Sequence, residues 1–295
     1  MKTVSWNIGK YKGKSGTSEK DKNILAKLEV LEDLLLDELP EIFCVIEGTV
    51  NKEDNQLREV FFKNGYYCYY EPSFVKEERF KGLFDFEYFE TFGLKIFIKE
   101  DFKDKVLPFD PSRAVYKGRL INVELEGESG VFIFLHRNMS STLKEQSGFI
   151  SEIYDWSTKG KLGLIAKNLV ILGDFNLSPW SSEYFTEKAG YLVSEVIEST
   201  YKIKNRNGLC FYNPVIDFMI NKKQKNLGGT FHSNSHGWGI YDFALIREYD
   251  EAKQIFEIMF ETKKFQILDT NDEAKTSNFM NYGFDHLPIK LTLQL

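Results

Sequence analysis

The feature that most constrains the fold of this chain is the stretch Val170–Pro179, which reads VILGDFNLSP. Its apolar run ends abruptly in turn-forming residues, as is typical of a buried strand that leaves a sheet. Asp174 and Asn176 follow the run, and residues i and i+2 of an extended segment point to the same side. Phe175, between them, is expected to point the other way into the core. Taken alone, the stretch is also compatible with an ordinary Asp/Asn turn.

Polar residues stand at the ends of several other apolar runs. They are Asn7 in Thr3–Ile8, Glu47 after Ile42–Ile46, His136 after Val131–Leu135, Asp242 in Ile240–Ile246, and Asp285 with His286 before Ile289–Leu293. A carboxylate at the end of an apolar strand, as at Glu47, costs free energy unless it is paired or bound to a cation. Because loops at one rim of a rigid sheet commonly assemble sites, we expect these side chains to meet at one edge.

The remaining periodicity predicts a chain in which strands alternate with helices. Leucines at helical spacing predict a helix over Glu19–Asp37 that ends before Pro40. The further predicted elements are a helix over Asn55–Asn64, strands over Tyr66–Tyr70, Gly93–Ile98 and Phe265–Asp269, a hairpin of Arg119–Leu125 with Val131–Leu135, and helices over Ser141–Trp156 and Ser182–Lys188. Since no repeat, low-complexity tract or linker interrupts this pattern, residues 1–295 are expected to form a single domain.

Composition limits the partners and the compartment. The 295 residues carry a net charge of −6, which argues against strong sequence-independent attraction to nucleic acid but not against a local basic groove. Two basic clusters, around Lys202–Arg206 and Lys222–Lys225, are more typical of a solvated face than of such a groove. The three cysteines show neither a disulfide framework nor zinc spacing. No apolar run reaches the ~18 residues of a membrane span and no signal region is visible, so we expect a cytoplasmic monomer.

The residue types in this set favour hydrolysis of a phosphate ester. Oxygen donors suit hard cations, chiefly Mg2+ or Mn2+, which leave coordination positions for water and a substrate phosphate. Glu47 is expected to hold the metal, and Asp174 to orient or deprotonate a water. Asn7 and Asn176 can donate hydrogen bonds to phosphoryl oxygens. A histidine oriented by Asp242 can act as a general acid or as an electrostatic stabiliser.

These motifs resemble the endonuclease/exonuclease/phosphatase superfamily, which includes deoxyribonucleases of the pancreatic type, abasic-site endonucleases, sphingomyelinases and inositol polyphosphate 5-phosphatases. The resemblance rests on WNI at Asn7, VIEG at Glu47, GRLINVEL after Lys117, FLH at His136, LGDFNLSP at Asp174, YDFALI at Asp242, and FDHLPI at Asp285 and His286. The motifs follow the family order from residue 3 to residue 293. The resemblance implies a four-layer α-β-β-α sandwich of two packed mixed sheets with outer helices.

The resemblance also implies a role for each matching residue. The matches are Asn7 with the first-strand asparagine, Glu47 with the metal-binding glutamate, Asp285 with the metal-side aspartate, Asp174 with the water-activating aspartate, Asn176 with the phosphate-contacting asparagine, His286 with the catalytic histidine, and Asp242 with its aspartate partner. His136 falls where the pancreatic-type deoxyribonucleases and the sphingomyelinases carry a second functional histidine, and Glu90 matches loosely the glutamate that supports it. Arg137, beside that histidine, is a candidate substrate contact.

The chain departs from the family pattern at three places. Phe284 stands where the family often has a serine, and Ile46 stands where a glutamine usually precedes the metal glutamate. The family's Arg-Ile-Asp-Tyr pattern appears as Ile240–Phe243, so its arginine is missing. These departures concern contacts to the substrate more than the class of reaction.

Three functions are compatible with this set of residues. A magnesium-dependent nuclease is favoured by His136 and by the basic clusters, and nucleic acid is then the partner. A phosphatase or phosphodiesterase that acts on a small molecule or a lipid head group is the alternative, and the acidic composition favours it. A non-catalytic binding module on the same scaffold is disfavoured, because the acid/base and metal positions are all filled. Trp180 and Trp238 flank the expected site, where each can stack on a base or pack in the core.

Overall fold

The strands and helices are taken from a computed structural model, which describes residues 1–9, 18–48, 53–71, 93–110, 120–127, 130–137, 168–180, 191–193, 210–215, 230–233, 237–248, 263–268 and 285–294. The helices are α1 (Ser18–Glu38), α2 (Glu53–Lys63) and a 3-10 helix (Glu100–Lys105). The strands are β1 (Lys2–Asn7), β2 (Ile42–Ile46), β3 (Tyr66–Tyr70), β4 (Leu94–Lys99), β5 (Leu120–Glu124), β6 (Val131–His136), β7 (Asn168–Asp174), β8 (Tyr191–Val193), β9 (Cys210–Tyr212), β10 (Phe231–Ser233), β11 (Gly237–Gly239), β12 (Asp242–Glu248), β13 (Lys263–Ile267) and β14 (Ile289–Leu293).

Two six-stranded mixed sheets form the body of the molecule, in the orders β13-β14-β1-β2-β4-β3 and β5-β6-β7-β12-β9-β8. Each sheet is built around a central parallel pair, β1 with β2 and β6 with β7. Antiparallel strands flank both pairs, β14 and β4 in the first sheet and β5 and β12 in the second. Strands that are apolar over their full length, such as Ile42–Ile46, are buried throughout, as expected for strands covered on both faces.

The two sheets face each other, and helices cover the outer face of the first. β1 and β2 lie against β7 of the opposite sheet. On the outer face, Phe61 of α2 stacks on Phe97 of β4 with ring centroids 3.8 Å apart, and Lys290 of β14 donates a hydrogen bond to Glu38 of α1. The predicted α/β sandwich of two packed mixed sheets with outer helices is therefore confirmed. The helices predicted over 141–156 and 182–188 lie outside the described residues.

The predicted elements agree with the structure to within one or two residues in most places. The helix expected over Glu19–Asp37 spans Ser18–Glu38, and the expected hairpin is formed by β5 and β6. Asp242 is an exception, because it begins β12 instead of lying inside a strand that starts at Ile240. No helix of the described residues is long and apolar enough to cross a membrane.

Strand direction explains why polar residues at the ends of some strands and at the starts of others meet at one edge of the sheets. The parallel strands β6 and β7 end side by side, so that His136 pairs with Asp174. β12 is antiparallel to β7, and its first residue, Asp242, therefore also pairs with Asp174. In the same way β14 is antiparallel to β1, so the residues that precede β14 lie near the end of β1. The six positions of the sequence pattern thus reach a common edge.

Candidate active site

Asp174 lies at the centre of this edge and is fully buried. Its Oδ2 accepts a hydrogen bond of 3.0 Å from Asn7 Nδ2, which reaches across from the opposite sheet. The same oxygen lies 3.9 Å from His136 Nε2 and 3.8 Å from His286 Nε2. One histidine comes from the β6 side of the carboxylate and the other from the β12 side. Asp174 Oδ2 therefore accepts a hydrogen bond from Asn7 and has a histidine nitrogen within 4 Å on either side.

The loop after Asp174 is a tight turn, and the expectation of an extended segment is wrong. Asn176 has a φ of +46°, a left-handed conformation that asparagine tolerates better than most residues. Its backbone N–H donates to Asp174 Oδ1 at 2.8 Å, which is the usual Asp turn. Phe175 is buried, as expected, and stacks on Phe243 at 4.0 Å. The chain thus reverses at Asn176, so Asp174 and Asn176 do not lie on the same side of an extended segment.

Arg137 holds this turn from the neighbouring strand. Its backbone N–H donates to the Asp174 carbonyl at 2.9 Å, and its carbonyl accepts a hydrogen bond from Asn176 Nδ2. Its guanidinium donates through Nη1 to the Phe175 carbonyl at 3.4 Å. Only 2% of the residue is exposed. The candidate substrate contact at Arg137 is therefore better described as a buried support of the turn.

His286 is held in one orientation by Asp242. Its Nδ1 lies 2.9 Å from Asp242 Oδ2, and both side chains are buried. Its carbonyl accepts a hydrogen bond of 3.0 Å from Trp6 Nε1. The ring also packs on Phe231 with centroids 4.7 Å apart. Because Nδ1 is occupied by the carboxylate, Nε2 is the ring nitrogen that faces Asp174.

Thr230 is a supporting residue that sequence reasoning missed. Its Oγ1 accepts hydrogen bonds from the backbone N–H groups of Tyr241 and Asp242, each at 3.0 Å. Its carbonyl accepts from the N–H of Leu287 at 2.7 Å. Thr230 thus links the start of β12 to the residue after His286. A lone threonine in a Gly-Gly-Thr stretch gives no sequence signal for this role.

The pKa values of Asp174 and His286 are both raised. Burial raises the pKa of Asp174 to about 6, and the Asp242 charge adds to this, while His286, His136 and the Asn7 hydrogen bond oppose it. For His286, burial alone would lower the pKa, but the Asp242 and Asp174 charges outweigh burial and raise it to about 10. Near neutral pH Asp174 is therefore a carboxylate of moderate basicity, and His286 is a cation beside it.

Glu47 follows β2 in a strained conformation. Its φ is +58°, which is unusual for a non-glycine residue and costs of order 1–3 kcal/mol. Its Oε1 lies 3.4 Å from His136 Nε2. Such strain persists where the surrounding structure requires it, and it is concentrated at functional sites. The position after the strand end, the strain and the histidine contact together favour a functional role for Glu47.

Asp285 lies beside the end of β1, where Gly9 makes room for it. The backbone N–H of Gly9 donates to Asn7 Oδ1 at 3.0 Å. A Cβ atom at Gly9 would lie 3.1 Å from Asp285 Oδ1. Lys27 of α1 also reaches this point, and its Nζ donates to the Ile8 carbonyl at 2.7 Å. Sequence reasoning missed Lys27, since one lysine in an amphipathic helix is expected to face solvent.

The donor atoms at this edge fit a hard divalent cation. Among the described residues, one group of three potential ligands lies within 4.8 Å, formed by Asp174, Asp242 and His286. His286 is a poor ligand there, because Nδ1 is bound to Asp242 and its raised pKa keeps the ring protonated. Glu47 and Asp285 also carry carboxylates at this edge, which are ligands that hard cations prefer, and the missing Cβ of Gly9 leaves space beside Asp285.

The structure therefore brings together eight of the nine predicted site residues at one edge, and it places the ninth, Arg137, behind the turn. Glu90, His236 and the two basic clusters lie outside the described residues. His232 and Trp238 pack on each other across β10 and β11 with ring centroids 5.1 Å apart. Trp180 is about half exposed, whereas Trp238 packs partly against the core.

Replacing Gly9 with alanine is expected to weaken the metal site more than the fold. Gly9 has a φ of +62°, and the new Cβ would press on Asp285 Oδ1. We expect Gly9→Ala to cost about 1 kcal/mol of stability from the left-handed backbone. If Asp285 binds a divalent cation, as the resemblance implies, the half-saturating cation concentration for activity should rise about tenfold, because Asp285 must move.

Gly65→Ala is the matched control for this substitution. Gly65 has a similar φ of +80°, but nothing lies within 4 Å of its Cβ position. Both variants should lose similar thermal stability, and only Gly9→Ala should need more of the divalent cation. Equal cation requirements in the two variants would contradict a role of Asp285 in binding the cation.

The chain is similar in sequence to one family of known proteins. A sequence model described as the Endonuclease/Exonuclease/phosphatase family matches residues 4–255. No curated protein matches the chain.

Several solved structures share the fold. TDP2 of D. rerio, in complex with a single-strand DNA product, is 14% identical with a TM-score of 0.56, over 100% of this chain and 99% of that one. A 3' phosphatase from Neisseria bound to a product DNA hairpin is 12% identical with a TM-score of 0.52, over 100% of both chains. A mannosyl-6-phosphatase of Bacteroides thetaiotaomicron is 16% identical with a TM-score of 0.54, also over 100% of both.

Proposed function

The chain belongs to the endonuclease/exonuclease/phosphatase family, and we propose that it is a nuclease that hydrolyses phosphodiester bonds of nucleic acid. Members of this family are metal-dependent hydrolases of phosphoester bonds. One observation supports the proposed reaction most directly: Asp174 Oδ2 is surrounded by Asn7, His136 and His286. We assign Asp174 as the base that accepts a proton from the attacking water. Its pKa of about 6 makes it ionised and still basic at neutral pH.

The reaction needs one proton acceptor and one proton donor. As the water oxygen bonds to phosphorus, its proton passes to the Asp174 carboxylate, and the bond from phosphorus to the leaving oxygen breaks. His286 remains protonated through its contact with Asp242 and places positive charge next to the phosphoryl oxygens. His136 lies on the other side of Asp174, and we assign it to protonate the leaving oxygen.

The other polar residues position the phosphate and the cation. Asn7 donates to Asp174 and keeps its carboxylate turned toward the site. Asn176 is fixed by Arg137 at the mouth of the turn, where we assign it to the substrate phosphate. Glu47 and Asp285 would hold the cation, for which we propose Mg2+. When bound, the cation neutralises charge on the phosphoryl oxygens and so favours attack by water.

Nucleic acid is the preferred substrate for two reasons. Two similar proteins, TDP2 of D. rerio and the Neisseria 3' phosphatase, have been solved with DNA products. In addition, His136 falls where the pancreatic-type deoxyribonucleases carry a second functional histidine, and it lies 3.9 Å from Asp174 Oδ2.

A phosphatase of small phosphate esters is the second candidate. The net charge of −6 is unusual for an enzyme that must attract a polyanion, and a similar fold belongs to the mannosyl-6-phosphatase of Bacteroides thetaiotaomicron. The site chemistry is the same for both substrates, because each reaction breaks one phosphoester bond. The difference therefore lies in the contacts outside the phosphate.

A substrate panel tests the choice. Purified protein is incubated with Mg2+ or Mn2+ and plasmid DNA, single-stranded DNA, RNA, sugar phosphates and inositol phosphates, with EDTA as the control. The proposal expects metal-dependent cleavage of at least one nucleic acid with kcat/KM above that of every small ester. Hydrolysis of the small esters with the nucleic acids intact would establish the second candidate instead.

A further inference from the structure

The loop that follows Asp174 is held against the protein by buried side chains and a hydrogen bond up to Trp180. Phe175 is buried, Leu177 packs against the core and Pro179 is buried. The N–H of Trp180 donates to Ser178 Oγ at 3.3 Å, which fixes the backbone at this point. The indole, however, is 52% exposed. The anchored loop therefore presents one large aromatic side chain to solvent.

The exposed indole offers apolar area that a ligand can bury. A tryptophan side chain is the largest apolar group available to a protein, and burying it is strongly favourable. Mobile loops can leave such a ring exposed at random, but this loop is held by its other apolar side chains and by a hydrogen bond. Trp238, the other tryptophan that the sequence places near the site, does pack partly against the core. Trp180 is thus available for a ligand, whereas Trp238 has a structural contact.

Trp180 also lies within reach of a substrate held at the turn. It lies four positions beyond Asn176 in the sequence, so the two Cα atoms are at most roughly 14 Å apart even in a fully extended chain. The turn at Asn176 and the bends after it shorten this distance. A nucleotide next to the reacting phosphate can therefore place its base near the indole.

We propose that Trp180 is a stacking subsite for a nucleobase that flanks the scissile phosphate, and that it makes single-stranded nucleic acid the substrate class of this site. This inference rests on the proposed nuclease function. It accounts for how an acidic protein can bind a polyanion. Stacking on an aromatic ring does not depend on phosphate neutralisation, so it keeps its strength when the net charge is negative.

The test compares oligonucleotides that differ only in their bases. One substrate is a single-stranded oligonucleotide, and the other has the same length with abasic sugars on both sides of the scissile phosphate. Because stacking on one aromatic ring is worth about a 5- to 100-fold change in affinity, Trp180→Ala should raise the KM for the first substrate by that factor relative to the second. Trp180→Phe should restore most of the effect, whereas Trp180→Leu, which is apolar but has no ring, should not. The effect should persist at high salt.

Controls separate the possible outcomes. Leu36 is equally exposed, at 55%, but lies near the end of α1 remote from the Asp174 turn, and Leu36→Ala should leave both KM values unchanged. If Trp180→Ala changes both substrates equally, or changes neither, the stacking subsite is wrong while the nuclease function stands. If the wild-type protein hydrolyses small phosphate esters and cleaves no nucleic acid, the proposed function is wrong and the subsite is rejected with it.

Discussion

Asp174→Asn is expected to lower kcat by a factor of about 100 to 10,000, the range typical of losing a general base. An asparagine at this position cannot accept the proton from the attacking water. It keeps the size of the side chain, so Phe175 and Asn7 remain in place. The change should appear in kcat with both nucleic-acid and small-ester substrates, because it concerns the reacting atoms and not the substrate contacts.

The stability of Asp174→Asn should change little. Both carboxylate oxygens of Asp174 accept hydrogen bonds, from Asn7 Nδ2 and from the Asn176 N–H. An asparagine loses one of these acceptors, at a cost of about 1 kcal/mol, but it also removes a buried charge. We expect the free energy of unfolding, measured in urea, to differ from wild type by less than about 2 kcal/mol.

The matched control is Asp33→Asn on the exposed face of α1, which should leave both kcat and stability unchanged. Activity of Asp174→Asn within tenfold of wild type would contradict the role of Asp174 as the base.

His286→Gln is expected to have the second large effect, on activity and stability together. Losing the cation beside Asp174 should lower kcat by about 100-fold or more. The substitution also leaves Asp242 buried without its charged partner. Breaking a buried ion pair in this way typically costs about 3 kcal/mol or more.

A double variant separates the two effects of His286→Gln. In Asp242→Asn/His286→Gln both partners are neutral, so most of the lost stability should return. Activity should stay at the level of the single variant, because the cation is still missing. His232→Gln is the control, since His232 packs on Trp238 and has no assigned role in the reaction. Recovery of kcat in the double variant would show that His286 acts only through folding.

The members of the candidate site could be predicted from strand patterns, because the direction of each strand determines the edge at which its terminal polar residue lies. Asp174, His136 and Asn7 are the last residues of their strands, whereas Asp242 begins a strand, and His286 precedes a strand, that is antiparallel to one of these. Each strand appears in the sequence as an apolar run, and the pairing of neighbouring strands then determines the edge at which its polar residue lies. A sequence with clear strand ends therefore allows the membership of such a site to be predicted.

The backbone and support contacts could not be predicted in the same way. The left-handed φ of Asn176 depends on two hydrogen bonds, one from its N–H to the Asp174 carboxylate and one from its side chain to the Arg137 carbonyl. Thr230 and Lys27 act through backbone groups that are far from them in sequence. Such contacts have no periodic signal, because they depend on how loops fold back on the sheet edge.

The proposed reaction depends on one coupled acid–base unit, in which Asp174 is ionised and His286 is protonated at the pH of the reaction. Both groups have raised pKa values, so the folded protein binds more protons than the unfolded chain. The contribution of His286 to stability is fully present below its unfolded pKa of about 6.5 and declines as pH rises toward 10. Activity needs the opposite protonation states of the two groups, which confines it to a window between their pKa values.

The most direct test is the dependence of kcat/KM on pH, measured from about pH 5 to about pH 10 with saturating metal. We expect an acid limb at or below about 6, from Asp174, since a bound cation favours the carboxylate. Because His136 is also assigned as a proton donor, the basic limb is measured in His136→Gln, where we expect it near 10 from His286, and it should move to lower pH when Asp242→Asn is added. A basic limb near 7 in His136→Gln that Asp242→Asn does not move would show that His286 is not held in its charged form, and the proposed acid–base unit would be wrong.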